Sequence, residues 1–338
     1  MTTWRMPPEW APHERTWMAW PSAGYTLGAT PEEAGQARRA WAAVANAIIQ
    51  FEPLTMCVDP RDVDIARGML HRDVAVMEMP LDDAWMRDIG PTFVLDDAGG
   101  LAGVDWVFNG WGAQSWASWD RDAQVAHRVC AAAGVPTVDS ALVNEGGAIH
   151  VNGAGAVLLT RTVQLGEGRN ADWPQESVEA ELNRTLGVDR FAWLERGLTR
   201  DYEEFGTRGH VDIVACFSNE HTILIHDQID PDHPDHEVSA EVRRALTGFL
   251  PDFDIVGVPA PDILSDEEGW VDYSYINHYV CNGAVILCAF DDPGDERAAE
   301  ILGSAYPGRE IVLVDARPLF ARGGGIHCIT QQQPEAGS

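Results

Sequence analysis

Gly209-His-Val-Asp-Ile-Val-Ala-Cys-Phe217, followed after a short polar break by Thr222-Ile-Leu-Ile-His-Asp227, is the stretch that decides the fold. A glycine and two ionisable residues lead into an apolar run, a second apolar run follows, and a helical pattern opens after His236. Two strands and a helix are therefore expected here. Period-two alternation in VDIVACF places His210 and Asp212 side by side on one face of the first strand. Outward from this unit, short strands and single helices keep alternating. Strands are expected at TMCV, VAVMEM, PTFVL, GVDWVF, AIHV and AVLLT on one side, and at YINHYV and AVILCAF on the other. Thr30-Pro31-Glu32-Glu33 supplies an N-cap, a first-turn proline and a capping-box glutamate, with Ala37, Trp41, Val44 and Ile48 following at helical spacing. Further helices are expected from Ser118 to the stretch before Gly134, from about Pro174 to Leu186, and near Ala298.

Five polar segments punctuate this alternation: Trp85-Met-Arg-Asp88, Asn144-Glu-Gly-Gly147, Gly209-His-Val-Asp212, Tyr275-Ile-Asn277 and Gly323-Gly-Gly-Ile-His-Cys328. They lie about 50 to 67 residues apart, a spacing suited to repeated supersecondary modules. The expected fold class is α/β, a closed five-bladed propeller with a pseudo-fivefold repeat of mixed β/α modules. The polar segments would then converge on a central site. With no low-complexity linker and no shift of composition, residues 1–338 are expected to form a single domain of about five ββαβ-like modules.

A formal charge of −30 disfavours nucleic acid as a partner, because phosphate binding depends on Lys and Arg, and suits a small cationic ligand. No apolar run approaches the roughly 18 residues that span a bilayer, so no membrane association is expected. The N-terminal residues have neither a basic stretch before an apolar core nor a small-residue cleavage site, and a cytoplasmic location is expected. Six cysteines include no Cys-x-x-Cys pair, and Cys57, Cys216 and Cys288 sit in apolar runs as expected reduced core residues. Asp232-His-Pro-Asp-His236 clusters candidate metal ligands, but a proline interrupts the helical geometry and no third ligand motif is evident. A solvated loop is expected there, and no metal.

Cys328 differs from the other cysteines because three glycines and His327 precede it, which lets backbone approach a ligand closely. Four further residues complete a chemical set. A guanidinium is planar, permanently charged and offers its N–H groups in a fixed fork, so two carboxylates are its natural clamp. Asp88 and Asp212 can supply them. The central guanidine carbon yields to a thiolate if an imidazole protonates the departing nitrogen and then activates water; Cys328 and His210 fit these tasks. Glu145 can orient the imidazole and favour its protonated form. Taken singly, each residue also has an ordinary structural explanation: Asp88 and Glu145 as turn residues, and His210 and Asp212 as polar side chains at a strand edge. Trp85, Trp111, Trp116 and Trp119 can line a channel for an apolar substrate tail or simply pack; Trp85 and Trp111 are the two retained as substrate-binding candidates.

The chain resembles the agmatine deiminases, members of the guanidino-group-modifying (pentein) superfamily and of the bacterial-type peptidylarginine deiminase family. The resemblance rests on six ordered motifs: Glu9-Trp-Ala-Pro-His13 with Thr16-Trp-Met-Ala-Trp-Pro21, Trp85-Met-Arg-Asp-Ile-Gly-Pro91, Asn109-Gly-Trp-Gly112, Glu145-Gly-Gly147, Gly209-His-Val-Asp212, and Gly323 through Gln333. It implies a five-bladed α/β propeller that hydrolyses agmatine to N-carbamoylputrescine and ammonia, in putrescine biosynthesis or agmatine catabolism. It also implies Cys328 as nucleophile forming an amidino-cysteine intermediate, His210 as acid-base, Asp88 and Asp212 as clamp, Glu145 as support, no cofactor, and a homodimer. Many relatives carry GGGNIHC where this chain has GGGIHC, which bears on contacts to the substrate tail.

Other readings remain open from residues alone. An amidinotransferase would use the same adduct but deliver it to an amine, and an arginine deiminase would need a site for an α-carboxylate. A non-catalytic propeller would bind partners at its central face. A cysteine peptidase is disfavoured, since a neutral peptide needs no pair of extra carboxylates.

Overall fold

The computed structural model describes residues 3–267 and 269–337. Among these, the strands form five sheets of three or four strands and one two-stranded ribbon, Ser265–Asp266 with Gly269–Trp270. All five sheets share one internal order. An antiparallel pair comes first, a helix crosses over, and the next strand pairs parallel to the second. Thus Ala215–Asn219 and Thr222–Asp227 are antiparallel, helix Asp235–Phe249 crosses, and Asp254–Pro259 pairs parallel to Thr222–Asp227. Helices Val125–Ala133, Gln175–Leu186, Gly294–Ala305 and Pro31–Ile48 make the corresponding crossovers in the other sheets. A parallel pair requires such a crossover, which is why each module carries a helix.

The middle strands are buried on both faces and read as continuous apolar runs. Val157, Leu158 and Leu159, Ile223, Leu224 and Ile225, and Val285, Ile286 and Leu287 have no exposed surface. One sheet joins the two ends of the chain, with strand Thr330–Pro334 antiparallel to His13–Ala19 and the latter parallel to Leu54–Val58. This pairing brings the segment after Cys328 against the N-terminal strand.

The expected helix at Thr30 forms as read. Thr30 Oγ1 accepts from Glu33 N at 3.2 Å, Glu33 Oε2 accepts from Thr30 N at 3.0 Å, and Ala37, Trp41, Val44 and Ile48 are buried. The helix expected from Ser118 instead begins at Val125, after a 3-10 turn at Asp122–Gln124. Asp122 is itself buried and accepts from Asp82 N, which holds the preceding segment in an irregular path. Of YINHYV only Tyr279 and Val280 are strand, part of Tyr279–Cys281.

Two local expectations are overturned. VDI is not the start of a strand: Val211–Ile213 form a 3-10 turn and the strand begins at Ala215. The cause is Asp201, whose Oδ2 accepts from Gly209 N at 2.6 Å and His210 N at 3.1 Å and pulls this backbone out of the sheet. His210 and Asp212 are therefore not paired by strand alternation. The segment Asp232–His236 is not a solvated loop either. His233 and Asp235 are buried, and Asp235 Oδ1 accepts from Thr199 N and Oγ1 at 2.8 and 2.6 Å, tying the helix start to a neighbouring loop. Among the described residues no helix is long and apolar enough to cross a membrane.

Candidate active site

The five singled-out residues, Cys328, His210, Glu145, Asp88 and Asp212, meet in one buried cluster, each delivered by a turn between regular elements. Asp88 sits in the single helical turn Met86–Ile89, docked by Arg87 N donating to Cys328 O at 3.1 Å. Its Oδ2 accepts from Trp111 Nε1 at 2.9 Å and its Oδ1 from Gly147 N at 3.1 Å. Gly147 forms the floor of the site. A Cβ there would stand 2.5 Å from His210 Nδ1 and 3.0 Å from both Asp88 Oδ1 and Asp212 Oδ2, so only glycine lets the three groups converge. Gly324 plays a similar part beside the thiol, where a Cβ would meet Trp85 Cζ3 at 2.8 Å and Cys328 Sγ at 3.0 Å.

His210 is held through its backbone by Asp201 and Thr207 and through its ring by carboxylates. Nε2 lies 3.4 Å from Glu145 Oε2, and Nδ1 lies 3.8 Å from Asp88 Oδ1. Burial alone would lower its pKa, but the surrounding charges of Asp88, Glu145 and Asp212 outweigh it and raise the value to about 9. The ring is an imidazolium at neutral pH. Burial pushes Glu145 the other way, yet Arg169 and His210 together hold its carboxyl below the usual range; Arg169 Nε donates to both oxygens at 3.0 and 3.1 Å. Asp88 is pushed up to about 6 by burial, against the pull of His210, with Asp212 and Glu145 adding to the rise.

Cys328 Sγ touches Asn277 Nδ2 at 3.2 Å and Asp212 Oδ2 at 3.5 Å. Burial, then the negative charges of Asp212 and Asp88, drive its pKa well above the ordinary thiol value, so the free site holds a thiol. Asp212 Oδ2 also accepts from His327 Nδ1 at 2.8 Å, and its carboxyl stays below the usual range because His327 and His210 overcome its burial. Two buried polar atoms here have no hydrogen-bond partner, Asp212 Oδ1 and His210 Nδ1. Unsatisfied buried polar atoms are costly and uncommon, and two together in one cleft point to a polar ligand.

The tryptophans divide. Trp85 and Trp111, with Tyr25, Asp88, Phe205, Thr207, Gly323 and Cys328, line a cavity of only about 10 Å³ over the thiol. Trp85 Nε1 is anchored on Thr26 Oγ1 at 3.1 Å. Trp111 does more than wall the cavity, because its indole N–H orients Asp88. Trp116 stacks on Trp111 at 5.4 Å and faces an outer hollow of about 870 Å³, while Trp119 borders a separate surface depression and is no part of the cavity wall. Tyr25 and Phe205, both lining this cavity, stack at 4.5 Å. Arg169, Asn277, Asp201, His327 and Glu9 all act on this cluster without having been singled out. Glu9 and His327 stand inside recognisable motifs, but nothing in their local pattern shows that they meet. Among the described residues, no group of three or more His, Cys, Asp or Glu side chains is arranged to hold a metal ion.

The fold is α/β, built of repeated ββαβ units, and it gathers a buried thiol, an imidazole and three carboxylates into one cluster. A family model described as Porphyromonas-type peptidyl-arginine deiminase matches residues 5–334, and the chain belongs to that family. A Streptomyces coelicolor protein provisionally named agmatine deiminase is 59% identical over 337 residues, covering 98% of this chain and 99% of its own. The agmatine deiminase of Stutzerimonas stutzeri is 38% identical, covering 97% and 95%. Among solved structures, an agmatine deiminase of Enterococcus faecalis superposes with a TM-score of 0.91 at 32% identity, covering 99% of this chain and 97% of that one.

Proposed function

We propose that this protein hydrolyses the guanidinium group of agmatine to N-carbamoylputrescine and ammonia through a covalent adduct on Cys328. The observation that carries the reading is the pair of buried atoms without a hydrogen-bond partner, Asp212 Oδ1 and His210 Nδ1, on residues that stand beside Cys328 Sγ and Asp88. The relatives named as agmatine deiminases support agmatine as the substrate.

In this reading Asp88 and Asp212 grip the guanidinium. The cation offsets the carboxylate field that adds to burial in keeping the thiol protonated, and the thiol proton passes to solvent water as the substrate seats. The thiolate adds to the guanidine carbon; His210, as imidazolium, gives its proton to the departing nitrogen, and ammonia leaves an amidino-cysteine. Neutral His210 then takes a proton from water and the hydroxide adds to the same carbon; the C–S bond breaks to release the thiolate as the new hydroxyl gives up its proton, which leaves with the ammonia as ammonium, and the urea product departs. Glu145, clamped by Arg169, keeps His210 charged for the first transfer. Trp85 and Trp111 border the tail of the substrate.

The five like sheets support one domain, residues 1–338, arranged as a five-bladed propeller with the site on its axis. Six unpaired cysteines favour a reducing, cytoplasmic setting, with putrescine formation or agmatine breakdown as the metabolic context. The homodimer implied by resemblance is open to measurement of mass in solution. Ammonia release from agmatine, arginine and a guanidino-carboxylate in parallel, with Cys328→Ser as control, tests the function. Agmatine-selective turnover lost in the variant is expected; turnover of a different guanidine alone would overturn the substrate, and none with any guanidine would overturn the chemistry.

A further inference from the structure

His327 lies between two carboxylates and is almost fully buried. Nδ1 is 2.8 Å from Asp212 Oδ2 and Nε2 is 2.7 Å from Glu9 Oε1. Only an imidazolium can donate from both nitrogens at once, so acceptors at both ends select the charged ring. Glu9 is fixed in turn: Arg87 Nη1 is 3.3 Å from its Oε1, and His150 Nε2 is 3.5 Å from its Oε2. The backbone of His327 is pinned as well, its N–H donating to Asn277 O at 3.1 Å and Oδ1 at 3.0 Å. A chain of contacts thus runs from Arg87 and His150 through Glu9 and His327 to Asp212, and Asp212 ends it 3.5 Å from the thiol.

Resting on the deiminase reading above, we propose that Glu9 and His327 are positioning residues for the reaction. Glu9 fixes the His327 ring, and His327 holds Asp212 so that Oδ2 faces Cys328 while Oδ1 stays free for the guanidinium.

The physical need is clear from the neighbours. Asp212 shares the site with the carboxylates of Asp88 and Glu145, and like charges at this range favour protonation of one of them. The positive groups near Asp212 are His327, His210 and Arg87; His327 alone among them hydrogen-bonds its carboxylate. Around His327 itself stand Glu9, Asp212, Arg87, His150 and His278. Despite burial and Arg87, Glu9 and Asp212 raise the His327 pKa above the ordinary imidazole value, while Glu9 is held well below the carboxylate range against its burial. Without the ring, Asp212 would lose both its aim and its nearest cation.

The test alkylates Cys328 with 2-chloroacetamidine, a small amidinium, and with neutral 2-chloroacetamide, across pH, in wild type, His327→Asn and Glu9→Gln. In both reactions the thiolate displaces chloride and forms an S–C bond, and the modified peptide carrying Cys328 is quantified. Wild type should prefer the amidinium. His327→Asn should lose about 100-fold of the amidinium rate at neutral pH, the scale of a misplaced catalytic group, with the neutral rate little changed. Its acid limb for the amidinium should move up by about one pH unit as Asp212 becomes harder to ionise. Glu9→Gln should shift in the same direction by about tenfold, one charge-assisted hydrogen bond weakened. Folded variants that keep the wild-type preference and pH profile overturn the proposal, as does a loss of both rates together with melting temperature, the mark of a purely structural role. If His327→Asn does not fold, Glu9→Gln decides alone. Wild type that releases no ammonia from agmatine would sink the deiminase reading instead, and the alkylation comparison still reports on Glu9 and His327.

Discussion

The strand Leu54–Val58 and the turn Gly323–Cys328 each bury a cysteine whose thiol is pushed upward, and the two differ in what does the pushing. Cys57 reaches about 12 from burial alone, in a strand whose every residue is buried. Cys328 is raised by burial too, but Asp212 and Asp88 add negative field, and Asn277 and Asp212 lie within 3.5 Å. A penalty from burial persists whatever binds nearby. The part that comes from carboxylates is relieved when a cation arrives, so in the proposed mechanism a bound guanidinium lowers the barrier to ionising Cys328 and does nothing for Cys57.

The sharpest break of that comparison is substitution at the two positions. Cys328→Ser should lower kcat with agmatine by on the order of 10⁴-fold or more. Cys57→Ala should leave kcat/KM within about twofold and cost about 1 kcal/mol of stability, read by denaturant unfolding. Gly147→Ala comes next. Its methyl would intrude on His210 Nδ1 and two carboxylates, and kcat/KM should fall about 100-fold. The pH profile of kcat/KM then sharpens the electrostatic half of the comparison. It should fall as pH drops through about 6, where Asp88 takes up a proton and the clamp loses a charge. It should fall again as pH rises through about 9, where His210 loses the proton it must deliver. A flat profile between pH 5 and 10 would contradict both assignments. Smallest is Thr30→Ala, remote from the site, which should remove the cap and about 1 kcal/mol of stability while leaving kcat/KM unchanged.

Local chemistry was readable wherever it is carried by local pattern. The capping box at Thr30, the buried face of that helix and the apolar middle strands follow from periodicity and side-chain type, and the structure has them where the pattern put them. The polar segments were also readable, and the structure brings residues of all five together in one buried cluster. What failed was the local geometry at His210, because a buried aspartate eight residues before Gly209 captures the backbone amides that a strand would have used. No periodicity reports such a competitor. The partners of the site were hidden for a related reason. Glu9 meets His327 across 318 residues, a contact that exists only once the two ends of the chain have come together, and Arg169 reaches back 24 residues to Glu145 from a loop after Gly168. The chain's end-to-end pairing, Thr330–Pro334 on His13–Ala19, brings the first of these together and has no signature in either segment alone.

The most direct test of the central claim is to quench wild-type protein in acid during agmatine turnover and map the modification by peptide mass spectrometry. The account predicts an amidino adduct carrying the aminobutyl tail on Cys328, none on Cys57, and its disappearance once agmatine is exhausted. N-carbamoylputrescine formed at full rate with Cys328 unmodified throughout, or an adduct on another residue that turns over at the catalytic rate, would contradict it.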